Sequence, residues 1–131
     1  MQIAFIGKVN QTNSIITEML ISNFDATVTY YQMDKVMEAF STENFTYPEL
    51  IIFDLNTSSG SGTAPSKITL LTDQFEGTPV LVVHPYQSKK LIMPLIEAGA
   101  QGIVSITPKE ENFTKAVEQL LAGENFFELP R

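Results

Sequence analysis

The sequence contains no cysteine and no tryptophan. Without thiols there can be no disulfide, no thiolate metal site and no cysteine nucleophile, which agrees with a reducing compartment. The single histidine, His84, has no imidazole or thiol partner with which to hold a transition metal. Basic residues are scarce: 8 Lys and Arg against 15 Asp and Glu give a net charge of −7, and they stand singly apart from Lys89-Lys90. Phosphate contacts dominate affinity for nucleic acid, so no direct nucleic-acid binding by this domain is expected. The apolar runs reach only about four to six residues, against the ~20 that span a bilayer, and no signal-peptide pattern is visible. A soluble cytoplasmic protein without a membrane partner is therefore expected.

What is present is enough for one core: 131 residues, 44% of them hydrophobic, fit a single domain. Ile3-Ala4-Phe5-Ile6 and Ala26-Thr27-Val28-Thr29-Tyr30-Tyr31 read as strands. Leu50-Ile51-Ile52-Phe53, Val80-Leu81-Val82-Val83 and Ile103-Val104-Ser105-Ile106 follow Pro48, Pro79 and Gly102 in the same manner. Strands that are apolar throughout are what a parallel sheet covered on both faces requires.

Between these runs the period changes to that of a helix. Asn10 or Thr12 can cap a segment that carries Ile15, Ile16, Met19 and Leu20 on one side. Met33, Val36, Met37 and Phe40 repeat at helical spacing, and residues 68–75 and 91–98 are the candidates for the next two helices. Thr107-Pro108-Lys109-Glu110 reads as a capping box for a last helix with Phe113, Ala116, Val117, Leu120 and Leu121 on one stripe, ended by Gly123. The expected fold is α/β: a doubly wound, five-stranded parallel sheet with five helices. Chemistry in such a sheet gathers at the carboxyl ends of the strands. Gly7, Lys8, Gln32, Asp54, His84, Pro85, Ile106 and Thr107 lie there. The stretch 56–65, rich in Ser and Gly, is read as a flexible loop rather than a phosphate cradle, because it matches no nucleotide-binding pattern.

Three stretches resemble the receiver domain of two-component response regulators, with details closest to LuxR/NarL-type transcription factors. Pro48-Glu49-Leu50-Ile51-Ile52-Phe53-Asp54-Leu55 is similar to the strand that ends in the phosphorylated aspartate. Glu97-Ala98-Gly99-Ala100-Gln101-Gly102-Ile103-Val104 and Ala116-Val117-Glu118-Gln119-Leu120-Leu121-Ala122-Gly123-Glu124 are similar to the family's last junction and closing helix. The resemblance implies the flavodoxin-like receiver fold over residues 1–123, with 124–131 a tail or the start of a linker to an output domain.

The resemblance also implies positions for a phosphorylation site. An acid pair that holds Mg²⁺ would fall on Gly7 and Lys8, the phosphoacceptor on Asp54, a switch hydroxyl on His84 and a lysine on Ile106. Only Asp54 matches. A phosphoryl group approaching a carboxylate needs a cation to neutralise the developing charge, and one carboxylate is a poor site for Mg²⁺. No cofactor, Mg²⁺ included, and no enzymatic activity are therefore expected. Lys8 is either an internal counter-ion to Asp54 or a solvated loop lysine. His84, followed by Pro85, is read as fixing the turn out of its strand, and Pro94 as shortening or kinking its helix.

The function expected is an atypical receiver of a LuxR-type transcriptional regulator that acts by protein contacts. Its expected partners are a second copy, through the first, fourth or last helix, with a histidine kinase or an output domain as the other candidates. Two alternatives stay open. Asp54 could still be phosphorylated, with Lys8 standing in for the metal. Alternatively, the chain could sense a cyclic dinucleotide, as some atypical receivers do through a Trp/Arg motif; here Phe126-Phe127 occupies that region and Arg131 is off the motif's spacing.

Overall fold

The structure of the chain, a computed structural model, describes residues 1–39, 47–58 and 62–130. Strands and helices alternate as β1 (Gln2–Ile6), α1 (Gln11–Phe24), β2 (Thr27–Tyr31), α2 (Met33–Ala39), β3 (Leu50–Asp54), α3 (Ala64–Gln74), β4 (Val80–His84), α4 (Lys89–Glu97), β5 (Gly102–Ser105), α5 (Glu110–Leu121) and β6 (Phe126–Phe127). The sheet runs β2-β1-β3-β4-β5-β6, and every neighbouring pair is parallel.

The central strands are buried as their composition requires: all five residues of β3 and all five of β4 are shielded from solvent. Side chains alternate between the two faces of each strand, so two cores form. Phe5, Ile52, Leu81 and Val83 meet Ile16 and Leu20 of α1 and Phe113 and Val117 of α5. On the other face Ile6, Phe53 and Val82 meet Val36 of α2, Ile68 and Leu71 of α3 and Ile92 of α4. The chain order reverses between β1 and its neighbours β2 and β3, which opens a crevice at the carboxyl ends of β1 and β3.

Several local readings are corrected. The sheet has six strands rather than five, because Phe126 and Phe127 pair with Gly102 and Ile103 of β5. Gly123 makes this possible by turning the chain back at φ 86°, in the left-handed region. The Phe126 N–H then donates to Gln101 O at 3.0 Å and the Glu128 N–H to Ile103 O at 2.9 Å. Ile15 is 54% exposed rather than part of the buried stripe of α1; the polar Asn13 takes a buried place beside Ile16, Met19 and Leu20. The capping box does not form. α5 starts at Glu110 with Lys109 as its cap and no side-chain capping bond, and Glu110 and Glu111 supply the charge that the helix dipole favours in the first turn. α3 begins earlier than expected, capped by the Thr63 hydroxyl, which accepts from Ser66 N. α4 starts five residues before Pro94 and ends where Gly99 takes φ 118°. Phe40, and the side chain of Met37, lie outside the described residues.

Candidate functional site

Asp54 closes β3, and alternation along the strand directs its side chain with Leu50 and Ile52 toward the face covered by α1 and α5. Only 2% of it is exposed. A carboxylate this deep needs donors, and three converge on it. The Asn56 N–H donates to Oδ1 at 3.2 Å, closing an Asx turn. Oδ2 accepts from Asn13 Nδ2 at 2.8 Å and from the Thr57 hydroxyl at 2.5 Å.

Asn13 comes from the first turn of α1, where the Asn10 side chain caps the helix by accepting from Asn13 N at 2.8 Å. Its amide also donates to Lys8 O at 2.8 Å. Both of these partners are acceptors, so the nitrogen and not the oxygen of the amide must point at them, and both its hydrogens are used. Thr57 in turn accepts the Lys8 N–H at 3.0 Å. The β1–α1 loop, the start of α1 and the turn after β3 are therefore tied together through one carboxylate. Behind them Tyr30 of β2 stacks on Phe5 with ring centroids 4.6 Å apart. Its hydroxyl donates to Asn13 O at 3.1 Å and is 2.6 Å from the Thr17 hydroxyl. Burial raises the Tyr30 pKa above its ordinary value; the bond to Thr17 works against this and the Asp54 charge adds to it.

The other positions do not join this network. Gly7 is buried, and a Cβ there would lie 2.7 Å from Thr57 Oγ1 and 3.1 Å from Asp54 Cβ. Lys8 contributes only its backbone: its side chain is exposed, and among the described residues the one ion pair joins Lys35 to Glu38. Of the two readings for Lys8, the solvated lysine is the one observed, and the counter-ion is replaced by an uncharged amide. Ile106 packs against the α1–α5 core, beside Thr12, Ile15 and Pro108, so an apolar floor lies where the resemblance would put a lysine. His84 alternates with Val80 and Val82 onto the α3–α4 face, opposite Asp54. Its Nδ1 accepts the Tyr86 N–H at 3.0 Å, fixing the turn out of β4. With that lone pair taken, the neutral ring carries its proton on Nε2, which is unsuited to ligate a metal.

Asn13 and Thr57 were not singled out from the sequence. The signal for Asn13 was a polar residue sharing the buried face with Ile16 and Leu20; that for Thr57 was a hydroxyl three residues after a strand-end aspartate.

The Mg²⁺ that receivers use does not fit these residues. A divalent cation wants several oxygens. Here an amide presents N–H hydrogens to the carboxylate, and Gly7 has no room for an added carboxylate. No cluster of three or more His, Asp or Glu is found among the described residues. No helix of the described residues is long and apolar enough to cross a membrane.

No family model matches the sequence, and no curated protein resembles it in sequence. Solved structures resemble it in fold. The RcsB response regulator of Salmonella typhimurium, from work on its DNA interaction, superposes with a TM-score of 0.81 at 15% identity, over 98% of this chain and 62% of that one. The isolated REC domain of RcsB from Salmonella enterica serovar Typhimurium with the phosphomimetic BeF₃⁻ gives 0.80 at 14%, over 98% and 93%. A LuxR family DNA-binding response regulator from Silicibacter pomeroyi gives 0.76 at 18%, over 98% and 96%. The chain therefore has the receiver fold. It spans less than two thirds of the first RcsB structure.

Proposed function

We propose that this receiver-fold chain is an atypical receiver of a LuxR-type response regulator, a cytoplasmic and non-enzymatic module that signals through protein contacts without Mg²⁺-dependent phosphorylation. The observation that carries the reading is the closure of the Asp54 carboxylate by Asn13, Thr57 and Asn56. A phosphoryl donor would have to displace the amide and the hydroxyl from Oδ2 with no cation to neutralise the incoming charge. Incubation with acetyl phosphate at physiological Mg²⁺, followed by intact mass measurement, is expected to leave the chain unmodified. A stable aspartyl phosphate at Asp54 would overturn the proposal and favour a conventional phosphorylation switch.

The partner proposed is a second copy, seated on α1 and α5. Ile15 and Ile21 of α1 and Leu121 of α5 are exposed at 54%, 51% and 39%. Ile15 also borders an apolar cleft with Ile106 and Pro108. Light scattering at high concentration is expected to report a dimer that Ile15→Asp converts to monomer; a wild-type monomer would remove this partner. In the proposed arrangement the dimer controls an attached or separate output domain. The acidic receiver itself does not touch nucleic acid.

A further inference from the structure

His84 stands outside the Asp54 network and has an environment of its own. It is 2% exposed, and its Nε2 is buried without a hydrogen-bond partner. Its Nδ1 holds the Tyr86 N–H, the bond that shapes the turn between β4 and α4. The ring borders a cleft with Tyr86, Gln87, Ser105 and the C-terminal residues Glu128 and Leu129.

We propose that His84 is a proton-operated latch: protonation of its ring removes the acceptor for Tyr86 N–H and opens the turn that leads into α4. The chemistry is forced by the imidazolium, which has two N–H donors and no acceptor. Once Nδ1 carries a proton, it faces the Tyr86 N–H donor to donor, and the new charge sits on a ring that is only 2% exposed. Both costs are relieved when the turn moves away and admits water. The exposed start of α4, with Lys89, Lys90 and Leu91, moves with it.

The surrounding charges set where this happens. Glu128, on the segment after β6, borders the cleft, and its charge favours the imidazolium. Tyr86 on the turn lies with its ring centroid 5.9 Å from the imidazole. On β5 the register partner is the uncharged Ser105. On β3 the Asp54 carboxylate is turned to the opposite face, and on α4 Lys89 and Lys90 are exposed. Burial outweighs Glu128 and lowers the His84 pKa below its ordinary value of 6.5. A histidine depressed in the folded state favours folding fully above the unfolded-chain value of about 6.5. That contribution is lost as the pH falls from there through the folded-state value, because the open chain binds the proton more readily.

The inference is independent of whether Asp54 accepts phosphate. The test is a ¹H–¹⁵N NMR titration of the whole chain from pH 7.5 to 5. The His84 ring and the Tyr86 amide are expected to move with one midpoint below 6.5, and exchange protection of the Tyr86 amide to fall roughly five- to tenfold, the size of one hydrogen bond. Glu128→Gln should lower that midpoint, and His84→Gln should abolish the transition. A ring that titrates while the Tyr86 amide keeps its shift and protection would overturn the latch. So would a Tyr86 transition that persists in His84→Gln, or a ring that stays neutral down to pH 5.

Discussion

Removing the Asn13 amide is expected to cost about 3 kcal/mol of stability, the upper range for a hydrogen bond to a charged group, with the loss of the amide's second bond, to Lys8 O, added. In Asn13→Ala, Oδ2 of Asp54 keeps only the Thr57 hydroxyl, and Lys8 O loses its side-chain donor. Asp54 is only 2% exposed, so the carboxylate that loses this donor stays buried and the penalty exceeds what the amide contributes by its presence. Urea denaturation of the two proteins measures the difference; a loss below about 1 kcal/mol would mean that the carboxylate does not depend on Asn13. Asn13→Asp separates charge from shape. Two carboxylates would then meet where 2.8 Å now separates an amide from Oδ2, and the pair's proton affinity would rise in the folded state. The destabilisation should be largest at neutral pH and shrink as the pH falls toward the carboxylate range near 4, because the folded state then binds the shared proton. Millimolar Mg²⁺ or Ca²⁺ should raise the melting temperature of this variant and leave that of the wild type unchanged, since two carboxylates, the Thr57 hydroxyl and Lys8 O form an oxygen set.

Gly7→Asp, which adds an acid at the end of β1 beside Asp54, is expected to destabilise the chain by about 2–3 kcal/mol, the upper range for forcing atoms into a packed site. The new Cβ would stand 2.7 Å from Thr57 Oγ1 and 3.1 Å from Asp54 Cβ. The first contact is with a side chain that can be shortened; the second is with the acceptor residue's own Cβ. Thr57→Ala in the Gly7→Asp background should therefore recover part of the loss even though Thr57→Ala alone removes a bond to Asp54. The two substitutions should be non-additive by about 1 kcal/mol or more, as expected of residues in direct contact. Equilibrium unfolding of the four proteins of the cycle decides this. Additive effects, or a Gly7→Asp protein as stable as the wild type, would mean that Thr57 does not close the space beside Gly7. The cycle also bears on the proposed function, because it asks whether the site is merely missing an acid or has been rebuilt around another residue.

The residues themselves show why some of this was legible and some was not. Short apolar runs and the change to helical period are local properties, so β1 to β5 and the approximate places of α1 to α5 follow from the sequence alone. β6 did not follow, because Phe126-Phe127 becomes a strand only when α5 and the turn at Gly123 bring it beside β5. The capping box failed for a related reason: its pattern is necessary for the motif, but the chain around Pro108 places the helix start two residues later, at Glu110.

At the site, the sequence determined by itself which chemical groups are available: one strand-end carboxylate at Asp54, no acid at Gly7 or Lys8, an imidazole at 84 and an alkyl group at 106. Residue identity fixes charge and donor capacity wherever the chain goes. Only the tertiary structure decided how those groups are satisfied. Asn13 reaches Asp54 across 41 positions of sequence, the Lys8 ammonium stays in water, and His84 turns to the opposite face. A buried carboxylate takes whatever donors the packing of neighbouring elements supplies, and that supply is a property of the folded arrangement rather than of any segment within it.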